Sequence, residues 1–410
     1  MLYDAYEVQR SFLAGASKLA GLGAGWLTNP ANPWAYASAS PLVAASLEVF
    51  AHASAPRGKP KFGLDTTKVG GKTVAVREEV VLRKPFGQLK RFVRAGVDVG
   101  PPLLIVAPMS GHYATLLRGT VERMLPRHDV YITDWRDAKL VPAAEGRFDL
   151  DDYIDYLIAF LDRIGETRGE RPHMIAVCQP SVPAFAATAL MNADKHPFRP
   201  QTLTMMGGPV DTRKAPTAVN TVATQRPLSW FEHNVIATVP GLYPGAGRRV
   251  YPGFMQLAGF MAMNLGDHLS SHWEMFKHLV AGDDENADVT RTFYDEYRSV
   301  CDMTAEFYLQ TVDVVFQRHL LPKGKLTHRG RKVDPKAITD TALLAIEGER
   351  DDISGLGQTR AALDLASKLA PAKKRYFMAE GAGHYGIFNG RKWREKIAPV
   401  VEEWIASHAT

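Results

Sequence analysis

The feature that most constrains this chain is a short buried strand that runs into a cysteine and then into a helix. Residues 173–177, HMIAV, have the length and the apolar run of a buried strand. Cys178, Gln179, Pro180 and Ser181 follow at once, and residues 184–191 favour a helix. A reactive side chain on such a sharp strand-to-helix turn is presented at the edge of a parallel sheet. Cys178 is therefore a candidate nucleophile.

Two further loops carry the side chains that would complete such a site. Asp351 follows an apolar strand at residues 342–346, and His384 follows another at residues 375–378. The chain order nucleophile, acid, histidine is that of the α/β-hydrolase fold. Because functional groups of open parallel sheets collect at the carboxyl ends of the strands, we expect Cys178, Asp351 and His384 to form a catalytic triad. Asp352 is an alternative to Asp351 as the acid.

The order of the predicted elements indicates an α/β protein with a mostly parallel central sheet and an inserted helical cap. Strands and helices alternate from residue 74, and the alternation is interrupted by a long, aromatic and mostly helical segment. We predict four regions: an N-terminal helical extension at 1–73, the first part of the core at 74–210, the cap at 211–335, and the second part of the core at 336–410.

Individual elements are predicted from hydrophobic periodicity and from turn residues. In the extension we expect helices at 2–20 and 40–53, and a linker at 56–72. The other predicted helices are 115–124, 150–164, 184–191, 272–279, 289–297, 303–319, 359–369 and a C-terminal helix from 392. The other predicted strands are 76–83, 89–94, 103–107, 130–133 and 203–206.

The oxyanion of an acyl-transfer intermediate would be bound by backbone N–H groups. One donor is expected from Gln179, the residue after the nucleophile, and the other from Met109 or Ser110 in the loop after strand 103–107. Ser110 and Ser181 are also alternative nucleophiles, although Ser110 comes too early in the strand order and Ser181 lies past the tight turn.

Composition excludes several other classes of protein. The chain is only mildly basic, with a net charge of +5 and an isoelectric point near 9.0, and this does not indicate nucleic-acid binding. Two cysteines, Cys178 and Cys301, give no disulfide framework. His268 and His272 lie one helical turn apart, but no third ligand has matching spacing, so we expect no metal and no cofactor.

The N-terminal region predicts neither a signal peptide nor a spanning helix. Asp4, Glu7 and Arg10 interrupt the first residues before an apolar core of useful length. Residues 19–47 carry no charge, but their prolines and glycines exclude a helix across a bilayer. We therefore expect a cytoplasmic protein without a transmembrane segment.

Four stretches of the sequence resemble the intracellular polyhydroxyalkanoate (polyhydroxybutyrate) depolymerases. They are MLYDAYE at 1–7, VCQP at 177–180, EGERDDISG at 347–355 and GHYG at 383–386. The resemblance runs over essentially the whole chain. Carried over by motif, it implies the triad Cys178, Asp351 and His384.

The resemblance also implies an activity and a location. It implies a carboxylic ester hydrolase that cleaves stored poly(3-hydroxybutyrate) through a cysteine nucleophile and an acyl thioester, and that resides at the surface of polyhydroxyalkanoate granules. Two alternatives are a polyhydroxyalkanoate synthase-like acyltransferase and a non-catalytic granule-surface binding protein. The elbow departs from the usual pattern, since Ala176 and Pro180 stand where glycines are common.

Overall fold

The computed structural model describes residues 2–97, 100–263 and 295–409. Within these ranges the chain is built around one nine-stranded sheet with the strand order β1-β2-β3-β5-β4-β6-β7-β13-β14. The strands of this sheet are β1 (Thr66–Val69), β2 (Lys72–Lys84), β3 (Gly87–Arg94), β4 (Pro102–Val106), β5 (Asp129–Trp135), β6 (His173–Val177), β7 (Thr202–Met206), β13 (Ala342–Gly348) and β14 (Lys374–Ala379).

The sheet is antiparallel at one side and parallel through its centre. β1, β2, β3 and β5 pair antiparallel, whereas β5, β4, β6, β7, β13 and β14 run parallel to their neighbours. Every residue of β4, β5, β6, β7 and β13 is buried. Burial on both faces requires helices on both sides of the sheet, which agrees with the predicted α/β fold.

Helices cover the sheet and form the cap. The helices are α1 (Leu2–Thr28), α2 (Ser40–Ser54), α3 (Arg118–Met124), α4 (Leu150–Arg168), α5 (Ser181–Ala193), α6 (Ala218–Gln225), α7 (Leu228–Asn234), α8 (Gly253–Met263), α9 (Ala305–Thr311), α10 (Ala361–Leu365), α11 (Gly390–Lys392) and α12 (Ala398–Ala406). The longest core helix, α4, begins with a capping box in which Asp149 and Asp152 each accept the other's backbone N–H.

The segment between β7 and β13 adds no strand to the main sheet within the described residues. It contains α6 to α9, a small sheet of β8 (Ala237–Thr238), β9 (Arg249–Tyr251) and β10 (Met303–Thr304), and the hairpin β11 (Thr327–His328) and β12 (Arg331–Lys332). The division of the chain at residues 73, 210 and 335 stays a prediction.

Several predicted elements differ from the observed ones. The first helix continues to Thr28, past the predicted end at residue 20, because its glycines and alanines pack against α2, and tertiary packing outweighs their poor helix propensity. The predicted linker at 56–72 includes β1, which pairs with β2. The predicted helix 303–319 begins as a strand and widens into π-helical turns after Thr311.

Three further predictions concern two helices of the cap and one of the second part of the core. The helix predicted at 359–369 is shortened to α10, which begins after the backbone N–H groups of Thr359 and Arg360 bind the buried Glu347. The helix predicted at 272–279, and most of the one predicted at 289–297, lie outside the described residues.

Candidate active site

Cys178 lies on a strained turn between β6 and α5. Its φ angle is 66°, in the left-handed region that residues other than glycine rarely adopt. The Cys178 N–H donates to the Met206 carbonyl at 2.7 Å, and the Cys178 carbonyl accepts from the Ser181 N–H at 3.0 Å. These bonds hold the turn at both ends, so the sharp elbow expected from the sequence is present.

The elbow forms without the usual flanking glycines. Ala176 is fully buried within β6, and Pro180 has φ −59°, which suits the residue that precedes the first turn of α5. The glycine that the close approach requires lies instead on the neighbouring strand end. A Cβ added to Gly208 would lie 2.0 Å from Ser181 Oγ and 2.9 Å from the Cys178 carbonyl oxygen.

Asp351 and His384 form a buried pair. His384 Nδ1 lies 2.8 Å from Asp351 Oδ2, and the two side chains are 5% and 0% exposed. The other carboxylate oxygen of Asp351 accepts the N–H groups of Ile353 at 2.9 Å and Ser354 at 2.8 Å. Asp352 is exposed. The geometry therefore pairs the histidine with Asp351 and not with Asp352.

The pKa of His384 depends on both of its neighbours, Cys178 and Asp351. Burial disfavours the charged ring, but the negative charges of Cys178 and Asp351, with hydrogen bonds to both, raise the pKa of His384 well above its usual value. A histidine in this position can take the proton of the neighbouring thiol, which is how a cysteine nucleophile is activated. The arrangement therefore suits nucleophilic attack by sulfur.

Gly207 is a site residue that the sequence reasoning missed. Its φ is 59°, and an added Cβ would lie 3.1 Å from Asp351 Oδ2 and 3.2 Å from His384 Cε1. The residue must be small because the acid–histidine pair packs against this strand end. The signal available in the sequence was the Gly207–Gly208 pair directly after β7, at the same sheet edge as Cys178.

The expected oxyanion donors lie beside the nucleophile. The Met109 N–H donates to Gln179 Oε1 at 3.3 Å. Within the described residues, the backbone N–H groups of Gln179 and Ser110 donate no hydrogen bond. The Met109 N–H is thus already occupied by the side-chain oxygen of Gln179. An ester oxygen could take the place of that oxygen if the Gln179 side chain moved.

The alternative nucleophiles are placed differently. Ser181 is fully buried, and it is not among the residues that line the pocket. Ser110 does line the pocket that contains Cys178 and His384, so it stays an alternative that experiment must test.

A pocket of about 420 Å³ opens over these residues. Its floor is Cys178, Gln179 and His384, and its walls come mostly from apolar side chains of the cap and of the loop after β4. The apolar and aromatic wall includes Met109, Val222, Phe231, Tyr251, Phe307 and Tyr308. A pocket of this size and character fits an uncharged organic chain.

No group of His, Cys, Asp and Glu side chains suited to a metal ion occurs in the described part of the chain. His268 and His272 lie outside the described residues. Among the helices of the described ranges, none combines the length and hydropathy needed to cross a bilayer.

Comparison with known proteins identifies the fold and the family. A putative lipase from Sulfolobus solfataricus superposes with a TM-score of 0.51 and 14% identity, over 84% of this chain and 97% of that one. The naproxen esterase (carboxylesterase NP) from Bacillus subtilis superposes with a TM-score of 0.44 and 14% identity, over 82% and 92%. The first of these likenesses bears out the expected α/β-hydrolase fold. No curated protein sequence matches this chain.

The sequence family is recognised from the second half of the chain. Residues 207–409 match the family model described as "PHB de-polymerase C-terminus". The match includes Asp351 and His384, begins after Cys178, and supports an ester hydrolase. The chain belongs to the PHB depolymerase family.

Proposed function

We propose that the protein hydrolyses poly(3-hydroxybutyrate) of intracellular granules through a thioester on Cys178. The observation that carries the proposal is the cysteine held at φ 66° on the elbow, facing the same pocket as the His384–Asp351 pair. A buried structural cysteine has no need of a strained backbone or of a charged histidine beside it.

The proposed reaction has two halves. His384 takes the thiol proton as the sulfur of Cys178 attacks the ester carbonyl carbon, and the tetrahedral oxyanion is bound by backbone N–H groups of Gln179 and of Met109 or Ser110. The ester C–O bond then breaks, and His384 gives its proton to the departing hydroxyl end of the polymer. In the second half His384 takes a proton from water, the water oxygen attacks the thioester, and the Cys178 sulfur leaves.

Asp351 would act only on the histidine. Its carboxylate accepts from Nδ1 of His384, which fixes the ring and stabilises its charged form through both halves of the reaction. The Ile353 and Ser354 N–H groups, which bind its other oxygen, hold the carboxylate in this orientation.

The substrate and the location are proposed from the pocket, the family and the thiol. A polyester of 3-hydroxy acids carries no charge, which suits the apolar walls above Cys178. Both cysteines are free, and a working thiol is compatible with the reducing cytoplasm in which storage granules lie. The polymer or its granule surface is therefore the proposed partner.

Release of 3-hydroxybutyrate from amorphous polymer particles tests the proposal. We expect release by the native protein, a loss of at least about 10³-fold in Cys178→Ala, and near-native release in the matched control Cys301→Ala. Equal release by native protein and Cys178→Ala would exclude the cysteine mechanism and make Ser110 the next candidate.

A second arm separates hydrolysis from transfer. Incubation with the coenzyme A thioester of 3-hydroxybutyrate should give no polymer. Formation of polymer, without release of acid from particles, would instead identify an acyltransferase, and particle binding with neither reaction would identify a binding protein.

A further inference from the structure

The N-terminal hairpin, which we define as α1 and α2 with residues 29–39 between them, exposes an unusual amount of apolar surface. Of the 14 large hydrophobic side chains that are exposed in the described residues, ten lie between Val8 and Phe50. They are Val8, Phe12, Leu19, Leu22, Trp26, Trp34, Tyr36, Leu42, Val43 and Phe50. Scattered single residues of this kind are ordinary, but a contiguous set marks an interaction surface.

Five of these side chains form one stripe along α1. Val8, Phe12, Leu19, Leu22 and Trp26 are 72%, 76%, 71%, 72% and 55% exposed. At 3.6 residues per turn they point within about 40° of one direction, and they extend over about 27 Å of helix. We name this set the apolar stripe.

The stripe is not the face on which the hairpin folds. The opposite side of α1 buries Ser17, Ala20 and Ala24. The Ser17 hydroxyl donates to the Ala51 carbonyl at 2.7 Å, and an added Cβ on Gly23 would lie 3.2 Å from Leu47. Small residues therefore hold α1 against α2, which leaves the large residues without a role in the fold of the hairpin.

The hairpin is anchored to the cap at its first turn. The Tyr3 hydroxyl donates to Asp302 at 2.5 Å, and the Tyr6 ring stacks on Phe254 with centroids 3.8 Å apart. Phe254 belongs to α8, the helix whose Gln256 and Gly259 line the active-site pocket. The hairpin that carries the apolar stripe is thus held, through Tyr3 and Tyr6, against the cap and against a helix that lines the pocket.

The charge pattern selects the kind of partner. From residue 19 to residue 47 the hairpin carries no charged side chain. Of the basic residues at 323–332, Arg329 pairs with Asp152 and Asp155, and Arg331 pairs with Asp194, so the charges of these two arginines are already compensated. An anionic bilayer attracts basic helices, whereas an uncharged face with exposed Trp and Tyr matches an apolar, uncharged surface.

We propose that the apolar stripe, with Trp34 and Tyr36, docks the protein onto the uncharged surface of a polyester particle and presents the pocket to it. The inference rests on the proposed function for the identity of the particle. It adds a binding surface separate from the residues that perform the reaction.

The test compares two double variants in the Cys178→Ala background, so that binding is measured without turnover. Phe12→Gln with Leu19→Gln removes two side chains of the stripe. Leu140→Gln with Leu242→Gln removes two exposed leucines elsewhere, which are 39% and 66% exposed. Co-sedimentation with amorphous poly(3-hydroxybutyrate) particles should be weakened about tenfold or more by the first pair and less than about twofold by the second. Equal binding by all three proteins would overturn the proposal.

Two further measurements distinguish its failure from that of the proposed function. With Cys178 restored, the stripe variant should hydrolyse a soluble 3-hydroxybutyrate trimer at the native rate and particles slowly. No hydrolysis of either substrate by the native protein, together with stripe-dependent binding, would refute the function and leave the docking surface standing. Equally slow hydrolysis of trimer and particles by the stripe variant would overturn the docking role.

The same variants also test two other partners for the stripe, a second copy of the chain and a lipid bilayer. Light scattering should give the same mass for the native and stripe-variant proteins, and vesicles of phosphatidylcholine and phosphatidylglycerol should bind neither. A dimer that the substitutions dissociate, or stripe-dependent binding to those vesicles, would overturn the commitment to a polyester surface.

Discussion

The carboxyl edge of the sheet and the N-terminal hairpin use apolar residues in opposite ways. At the sheet edge the strand before Cys178 is buried completely, and the cysteine and His384 line the pocket. Where α1 and α2 meet, small residues such as Ala20, Ala24 and Ala44 are buried, whereas ten large hydrophobic side chains of the hairpin are exposed. The core thus buries its large apolar side chains, as a folded domain requires, whereas the hairpin leaves them exposed, where they can contact another surface.

The largest effect should separate two adjacent aspartates at the sheet edge. Asp351→Asn should lower kcat by about 10³-fold or more. The neutral amide does not supply the negative charge that orients the His384 ring and stabilises its protonated form. Asp352→Asn should stay within about twofold, since Asp352 is exposed. Initial rates on a soluble ester trimer measure both, and equal losses would contradict the assignment of the acid.

The unfolding free energy should respond very differently to the truncation of two phenylalanines, one in the core and one in the hairpin. Phe185 on α5 is fully buried in the core, and Phe185→Ala should cost about 3–5 kcal/mol of unfolding free energy. Phe12 is 76% exposed, so Phe12→Ala should change it by no more than about 0.5 kcal/mol. Urea titration followed by circular dichroism gives both values. A large cost at Phe12 would mean that the stripe is part of the folded core.

A pH-dependent effect is expected where the hairpin meets the cap. Burial and the neighbouring Asp137 raise the pKa of Asp302 to about 6, while Lys139 and the Tyr3 hydroxyl oppose the rise. Because the folded protein holds this proton more tightly than the unfolded chain, the stabilisation is present at low pH and is lost as the pH rises through about 6.

Asp302→Asn removes the titrating carboxyl group, so the variant does not lose stability as the pH rises through this range. The unfolding free energy of the variant relative to the native protein should therefore increase between about pH 5 and pH 8, by on the order of 1 kcal/mol. Urea titrations of both proteins at the two pH values provide the measurement. A difference that stays constant or decreases would show that Asp302 is ionised throughout.

The smallest effect should appear on the histidine itself. In Cys178→Ala the negative charge of the sulfur is removed, so the pKa of His384 should fall relative to the native protein. NMR titration of the His384 ring carbon in selectively labelled protein measures the shift, with Cys301→Ala as the control. An unchanged pKa would show that the cysteine and the histidine do not share a proton.

The site could be anticipated from the sequence because each of its parts follows a strand. Cys178, Asp351 and His384 lie after β6, β13 and β14, and a parallel sheet brings those strand ends to one edge. Gly207 was missed because its requirement comes from a contact with a pair of residues more than 140 positions away. No local pattern records such a contact.

The hairpin could be anticipated less well. The first helix is predicted by its periodicity, but that pattern gives no sign that the large residues of the apolar stripe are exposed while Ser17, Ala20 and Ala24 are buried. Periodicity assumes that large apolar side chains face a core. That assumption fails where a helix packs through its small residues and keeps the large ones exposed.

The acyl-enzyme is the species that tests the central claim most directly. Native protein mixed with the soluble trimer, quenched in acid within one turnover and digested, should yield the peptide containing Cys178 with the added mass of one 3-hydroxyacyl group. The adduct should be released by hydroxylamine and be absent from Cys178→Ala. An acyl group found on Ser110 or Ser181, or active turnover with Cys178 unmodified under every quench, would contradict a cysteine nucleophile on this elbow.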